Sequence, residues 1–395
     1  MTIKLYGTNW CSDCKRSKKF LGEQRVRYDY IDIEEDEQAQ AYVRELQKGG
    51  MSIPTIVFDD QGVLIEPSNA ELAEKLGLDI KAQCTFYDLI VVGGGPTALT
   101  AAIYIARDGY DVLVIERSSL GGQAGITERL DNYPGFPHGV TGGEFAERVI
   151  EQAKRFDVEM ISAQNVVRVG NDLDAHYVET EDGTRYRCNA VLLATGSSYK
   201  RLDVPGESEY IGAGIHFCAT CDGPFYKGQD VVVVGSGNSA VEEAVFLTRF
   251  SPQVTILTRG ERLSASKLAI DKALTTPEIK VRYNTEIVEF KGENNRITTL
   301  VVKDTQSGKQ EELHPAAAFI FIGLQPNSEP FRATVASNAQ GFIRTGADFQ
   351  TNIEGIFAAG DVRAGSTKQL VSAAGEGAAA AIAIREHLNT HHAGA

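Results

Sequence analysis

The 395 residues carry a net charge of −14 and 43% apolar side chains. That is enough apolar content for the cores of two or three domains, and a charge that argues against nucleic acid and anionic membrane surfaces as partners. Met1 opens directly onto Thr2-Ile3-Lys4-Leu5-Tyr6, and no apolar run reaches the eighteen or so residues a membrane span needs, so the expectation is a cytoplasmic protein with no membrane association. Six cysteines are too few for a disulfide scaffold, and four of them form two CxxC pairs, Cys11/Cys14 and Cys218/Cys221. Cys84 and Cys188 read as small buried fillers.

In chain order, Ile3–Tyr6 predicts a short strand and Gly7–Trp10 a loop that delivers Cys11 to the N-terminus of a helix running through Phe20. The helix dipole and Lys15, Arg16, Lys18 and Lys19 favour a Cys11 thiolate, while Asp13 opposes it. A strand over Val26–Ile33, a helix over Glu37–Lys48 and a strand at Ser52–Phe58 follow, the last opened by Pro54 in a setting that suits a cis bond. Gly62 turns the chain into a final strand, and Asn69–Leu76 closes the segment as a helix. Residues 1–78 are thus a first domain, and 79–85 a linker that spans about 25 Å when extended.

Phe86–Val92 is a continuous apolar strand running into Gly93-Gly94-Gly95-Pro96-Thr97-Ala98 and a helix over 97–107. This GxGxxA turn lets a pyrophosphate approach the helix N-terminus, which assigns Gly93, Gly95, Pro96 and Ala98 to a dinucleotide. The next strand, Asp111–Ile115, ends in Glu116, about 20 residues after the fingerprint, where a carboxylate takes ribose hydroxyls. The arrangement recurs. Asp230–Val234 leads into Gly235-Ser236-Gly237-Asn238-Ser239-Ala240, a helix through Phe250 and a strand Val254–Leu257 that ends in Thr258-Arg259. An arginine there suits the 2′-phosphate of NADPH, with Arg262 as a second cation; NADH is the alternative.

Between the two fingerprints' reach lies Cys218-Ala219-Thr220-Cys221-Asp222-Gly223-Pro224. Two cysteines at this spacing fit one helical turn, where Cα atoms lie about 5–6 Å apart and a disulfide closes. Asp222 directly after the pair is placed to protonate a departing thiolate. Zinc is the rival reading of such a pair, but it takes four ligands together, and the other CxxC is remote in sequence and sits in a different context, so no metal is expected.

Residues 1–78 resemble the glutaredoxin family, on Trp10-Cys11-Ser12-Asp13-Cys14, the Ser52-Ile53-Pro54-Thr55 turn and Pro67-Ser68. Ser12-Asp13 stands where that family usually has Pro-Tyr. The resemblance implies Cys11 as the attacking thiol, Cys14 as the resolving thiol and a cis Pro54. Residues 86–390 are similar to the low-molecular-weight thioredoxin reductase family, on Gly121-Gly122-Gln123, Asn132-Tyr133-Pro134-Gly135, Ala194-Thr195-Gly196, the Cys218–Gly223 motif and Ala359-Gly360-Asp361-Val362. Lys368-Gln369-Leu370 and Gly375-Glu376-Gly377 are nearer to the flavoprotein subunit of alkyl hydroperoxide reductase.

These resemblances imply an α/β protein with a thioredoxin-like N-terminal domain and two nested Rossmann-like domains: an FAD domain at 86–200 and 329–390, and a nicotinamide domain at 201–328 that carries the CxxC. Gly122, Gln123, Asn132, Thr195, Gly196, Gly360, Asp361, Lys368, Gln369 and Leu370 are the implied FAD residues, and Gly235, Gly237, Asn238, Ser239, Arg259 and Arg262 the NADPH residues. Of the family's three arginines for the 2′-phosphate, Arg259 matches, with Gly260 and Ser264 in the other places. The implied activity is a relay from NADPH through FAD to Cys218/Cys221, with Cys221 facing the flavin and Asp222 as general acid. Cys218 then attacks the Cys11–Cys14 disulfide, and the reduced pair passes electrons to an outside disulfide such as thioredoxin, a glutathione-like disulfide or a peroxiredoxin. A domain rotation about hinges near 200 and 328 and a homodimer are part of that expectation, with transfer to the N-terminal domain of the partner as one route. A peroxiredoxin reductase and a flavin redox sensor without turnover are the alternatives. His391-His392 reads as a disordered tail.

Overall fold

The computed structural model describes residues 3–8, 10–24, 26–60, 62–127, 129–172, 175–293 and 296–392, without the side chains of Lys19, Glu23, Ile126, Cys221, His391 and His392. The chain forms two compact units, one made of Met1–Ile126, Gly142–Gly196 and Pro326–Ala395, the other of Thr127–Thr141 and Ser197–Gln325.

The first unit opens with a four-stranded sheet in the order Asp29–Asp32, Ile3–Gly7, Thr55–Phe58, Val63–Ile65, its first pair parallel and the rest antiparallel. Ile3, Leu5, Ile56 and Phe58 alternate inward on these strands and meet Leu21 and Leu72 of the flanking helices Ser12–Glu23 and Asn69–Lys75. The last helix begins with a capping box, Ser68 accepting from the Glu71 amide and Glu71 from the Ser68 amide. The expected strand Val26–Ile33 is shorter, Asp29–Asp32. Val26 instead bonds back to the Leu21 carbonyl as the helix ends, so burial of Val26 and Tyr28, not ladder pairing, explains their apolar character. The Ile53–Pro54 bond is cis.

A seven-stranded sheet follows, in the order Glu159–Ile161, Val112–Ile115, Phe86–Val92, Arg185–Leu193, Ala175–Thr180, Val166–Asp172, with Ile356–Ala358 also paired to Arg185–Leu193. The strands around Phe86–Val92 are parallel, and the reason Leu89–Val92 is apolar without alternation is that both faces are covered there. Leu89 and Val91 face the helices Pro96–Arg107 and Leu370–His392, while Ile90 and Val92 pack with Val178, Phe331 and Ile343. Each such side chain, fully buried, contributes roughly 1.5–3 kcal/mol. The closing helix runs through His392, so the backbone of His391-His392, expected as a tail, completes its last turn; their side chains lie outside the described residues.

The second unit repeats the design on a smaller scale. Five parallel strands run in the order Ile215–His216, Ala317–Ile320, Val231–Val234, Val254–Leu257, Ile279–Arg282. Val231 and Val233 feed one core, against the helix Asn238–Leu247, and Val232 and Val234 the other. That helix stops at Leu247, three residues short of the expected Phe250, because Phe250 and Ser251 bond back to the Leu247 carbonyl in a closing turn. A three-stranded antiparallel sheet, Thr285–Glu293, Arg296–Asp304 and Gln310–Leu313, is inserted before the last parallel strand.

Candidate redox and dinucleotide sites

At the N-terminal pair, Cys11 is the N-cap of the helix Ser12–Glu23, and its sulfur accepts from the Cys14 amide at 3.1 Å. Cys11 sits 7% exposed and Cys14 is fully buried; both are free thiols. Burial, then the hydrogen bond with Cys11, pushes the Cys14 thiol up to about 12. The pair is therefore asymmetric: Cys11 is the sulfur nearer to solvent, and burial disfavours the thiolate of Cys14 behind it. Trp10, 69% exposed, flanks the pair and donates to Glu34 at 3.1 Å. Of the expected cations, Arg16 is occupied by Asp13 at 2.5 Å and by the Pro67 carbonyl, and Lys18 lies over the Tyr30 ring at 3.9 Å. The Lys19 side chain is outside the described residues.

The linker is fastened along its length. The Asp79 carbonyl accepts from Ser162, Ala82 donates to the Tyr186 hydroxyl, Gln83 to Glu159 at 2.6 Å, Cys84 to the Tyr87 hydroxyl, and Thr85 accepts from Arg187. Glu159 also accepts from Tyr87 at 2.6 Å, so one carboxylate joins the linker to the sheet. Cys84 is exposed here, contrary to its reading as a buried filler, since its amide is turned toward the sheet and the side chain is left to solvent; Cys188 is fully buried, as expected of a filler.

At the first glycine turn, a Cβ on Gly93 would meet the Ala194 carbonyl oxygen at 2.5 Å, and Gly93 holds φ +108°. Gly95 caps the helix Pro96–Arg107 without any side-chain cap, Pro96 stands in its first turn, and the nearest atom to a Gly95 Cβ is the Gly122 Cα at 4.0 Å. Uncapped first-turn N–H groups above a clear glycine surface form a cradle for phosphate oxygens. Ala98 is fully buried beneath it. Glu116 at the end of Val112–Ile115 accepts from the Gly94 and Ser118 amides, one at each oxygen, which orients the carboxylate. Gly122 and Gln123 open a short 3₁₀ turn against the same glycines.

Asp361 lies in the 3₁₀ turn Gly360–Val362 after the strand Ile356–Ala358; burial raises its pKa, with Lys368 opposing. Lys368 donates to the Asp361 and Arg363 carbonyls and sits over the Phe342 ring, and burial lowers its own pKa. Two residues that pattern reading left without a role stiffen this turn: Glu376 accepts from the Gly360 amide at 2.7 Å and pairs with Arg363 at 2.9 Å. The Gly375-Glu376-Gly377 run is the sequence signal for Glu376, and Arg363 carries none. Gln369 and Leu370 lead into the helix Leu370–His392. Thr195 donates to the Asn327 carbonyl at 2.7 Å, and Asn327 returns to the Thr195 carbonyl and the Gly196 carbonyl, clasping the two chain segments where they leave and re-enter this unit.

Asn132 falls in the second unit, in the segment Thr127–Thr141. There the second glycine turn has the same character: Gly235 holds φ +146° with the Phe321 carbonyl oxygen 2.4 Å from a would-be Cβ, and Gly237 caps Asn238–Leu247 with no side-chain cap and open space before it. Asn238 accepts from the Ser266 amide at 2.6 Å, and Ser236 meets Ser264 at 2.9 Å, so the loop carrying Arg259 and Arg262 is tied to the glycine turn. Ser239, Arg259 and Arg262 are exposed. Cys218 is disulfide-bonded and precedes the single-turn helix Ala219–Asp222, in which Asp222 donates its amide to the Cys218 carbonyl; the Cys221 side chain is outside the described residues.

Comparison with known proteins follows this geometry. Residues 87–377 match the family described as pyridine nucleotide-disulphide oxidoreductase, and residues 3–63 match glutaredoxin. A thioredoxin reductase of Bacillus subtilis is 39% identical over 302 residues, covering 76% of this chain and 95% of the relative. A bifunctional thioredoxin reductase/thioredoxin of Mycobacterium leprae is 39% identical over 308 residues, covering 78% of this chain and 67% of that one. Among solved structures, thioredoxin reductase from Streptococcus pyogenes superposes with a TM-score of 0.74 at 35% identity, covering 78% of this chain and 99% of its own.

Proposed function

Because the chain belongs to the pyridine nucleotide-disulphide oxidoreductase family, as a thioredoxin-reductase-like enzyme with a glutaredoxin domain at its N-terminus, we propose that it is a self-contained relay in which Cys218 reduces the Cys11–Cys14 pair, and that pair reduces an outside disulfide. FAD and NADPH are the cofactors, and bound FAD supplies the two-electron chemistry that links a nicotinamide to a disulfide. The cradle at Gly93, Gly95 and Pro96, the oriented Glu116 and the stiffened Gly360-Asp361 turn fit FAD. The open turn at Gly235–Ser239 with Arg259 and Arg262 fits the nicotinamide dinucleotide.

The observation that carries the proposal is the asymmetry of the N-terminal pair, a sulfur nearer to solvent backed by a thiol whose thiolate burial disfavours. A Cys218 thiolate attacks Cys11, the sulfur nearer to solvent; the Cys11–Cys14 bond breaks, a Cys218–Cys11 bond forms, and the Cys14 thiolate takes a proton. Cys221 then attacks Cys218, restoring that disulfide and freeing Cys11, so two electrons have moved and both N-terminal sulfurs are thiols. Asp222 supplies protons to departing thiolates on its side. The acceptor is proposed to be a disulfide, with thioredoxin, a low-molecular-weight disulfide and a peroxiredoxin as the classes to compare, and the working assembly a homodimer.

The test is NADPH oxidation with each acceptor in the wild type and in Cys11→Ser. Loss of at least about 100-fold in turnover with the preferred acceptor in the variant, the scale expected when an attacking nucleophile is removed, supports the relay. Undiminished turnover in Cys11→Ser shows that Cys218 serves the acceptor directly and overturns it.

A further inference from the structure

The Cys218–Asp222 motif has a partner that the sequence patterns did not single out. His216, two residues before Cys218, is 7% exposed on the strand Ile215–His216. Its Nδ1 lies 3.5 Å from Asp222 Oδ2, and its Nε2 lies 2.7 Å from the Tyr226 hydroxyl. Phe319, from the neighbouring strand, flanks the imidazole with ring centroids 5.4 Å apart, and Tyr226 packs edge-on against Phe319 at 5.9 Å. The titratable groups facing His216 among the described residues are therefore Asp222, from the turn that carries the redox pair, and Tyr226, from the 3₁₀ turn after it; Phe319 contributes none. Tyr226 is half-buried, and the Asp222 side chain is 17% exposed.

The geometry points to His216 as a positioning residue that orients Asp222 and recharges it with protons, the Tyr226 hydroxyl holding Nε2 so that Nδ1 faces the carboxyl group. The inference rests on the reading of Asp222 as the general acid of the Cys218 pair. Reducing a disulfide to two thiols consumes two electrons and two protons, so an acid with little solvent contact must be reprotonated every turnover. When a thiolate takes the Asp222 proton, the imidazolium of His216 passes its Nδ1 proton to Oδ2 and keeps its Nε2 proton, which it donates to the Tyr226 hydroxyl oxygen. Nδ1 then takes a proton from water, which restores the imidazolium for the next turnover. Protons alone move in these steps, and the electrons stay with the sulfurs.

The experiment is the pH profile of NADPH-driven disulfide reduction by the full-length, FAD-loaded enzyme between pH 5.5 and 9, for wild type, His216→Gln and Tyr226→Phe. His216→Gln is expected to lower kcat about tenfold at pH 7.5, below the hundredfold or more of a general acid itself, and to move the alkaline fall in kcat at least about one pH unit lower. Tyr226→Phe, which removes one oxygen and keeps the ring against Phe319, is expected to shift the same limb in the same direction by a smaller amount. If His216→Gln does not retain FAD, the Tyr226→Phe profile decides alone. Wild-type profiles in the variants overturn the inference while leaving the relay intact. A wild type that reduces no disulfide with NADPH overturns the reading on which it rests.

Discussion

Cys11 and Cys14 occupy one helical turn, yet they are chemically unlike, and the difference comes from burial. Cys14 is sealed between the sheet and its own helix, and a Cβ on Gly7 would sit 2.6 Å from its sulfur, so nothing larger than glycine fits there. With its thiol pushed up to about 12, Cys14 holds only on the order of one part in ten thousand as thiolate at pH 8. In the reduced protein at pH 8, iodoacetamide should therefore alkylate Cys11 at least tenfold faster than Cys14, read by peptide mass mapping; equal rates would contradict the asymmetry. The spacing of the two cysteines and the acid after the second pair were legible in the sequence because they are local. Which thiol is the more deeply buried was not, since it depends on the strand Ile3–Gly7, whose Gly7 lies against the Cys14 sulfur. Cys84 and Cys188 make the same point: as letters in a sequence they are alike, but one faces solvent from the linker and the other lies at the centre of a sheet.

At the scale of elements, the contact between the helices Pro96–Arg107 and Leu370–His392 rests on small residues. A Cβ on Gly377 would meet the Thr97 carbonyl oxygen at 2.3 Å, whereas one on Gly375 meets nothing within 4 Å. Alanine favours a helix over glycine by roughly 1 kcal/mol, so Gly375→Ala should raise the denaturant midpoint of the apoprotein slightly. Gly377→Ala must separate the helices and should cost about 1–3 kcal/mol and weaken FAD retention. Equal effects from the two would refute this packing account. The linker is a second case. Its reach of about 25 Å when extended assumes a free tether, but Glu159 holds both Gln83 and Tyr87 at 2.6 Å. Glu159→Ala removes two hydrogen bonds to a carboxylate, a loss of about 1–3 kcal/mol, and should speed proteolysis within 79–85 by roughly tenfold or more. The glycine fingerprints and their strands were readable because each obeys a local backbone rule. The docking of the linker was not, because its partners Glu159, Ser162, Tyr186 and Arg187 come from 75 to 105 residues away.

On the scale of the whole molecule, one chain holds two glycine turns of the dinucleotide-binding pattern and two CxxC pairs, and the proposed relay connects them in a single order. Fold class was legible because apolar strands running into glycine turns recur twice, and the family through motifs such as Cys218–Gly223 and Ala359–Val362; the partition of the chain into units was less so, since Thr127–Thr141 belongs with the second unit although it is flanked in sequence by the first. The measurement that tests the relay most directly is anaerobic mixing of the FAD-loaded protein, oxidised at both pairs, with one equivalent of NADPH. Flavin absorbance is followed alongside thiol labelling at Cys11, in the wild type and in Cys218→Ser. Flavin bleaching and recovery with a Cys11 thiol appearing in the wild type, and bleaching without that thiol in Cys218→Ser, is the predicted result. A Cys11 thiol that appears equally fast in Cys218→Ser, or a flavin that NADPH leaves oxidised, would contradict it.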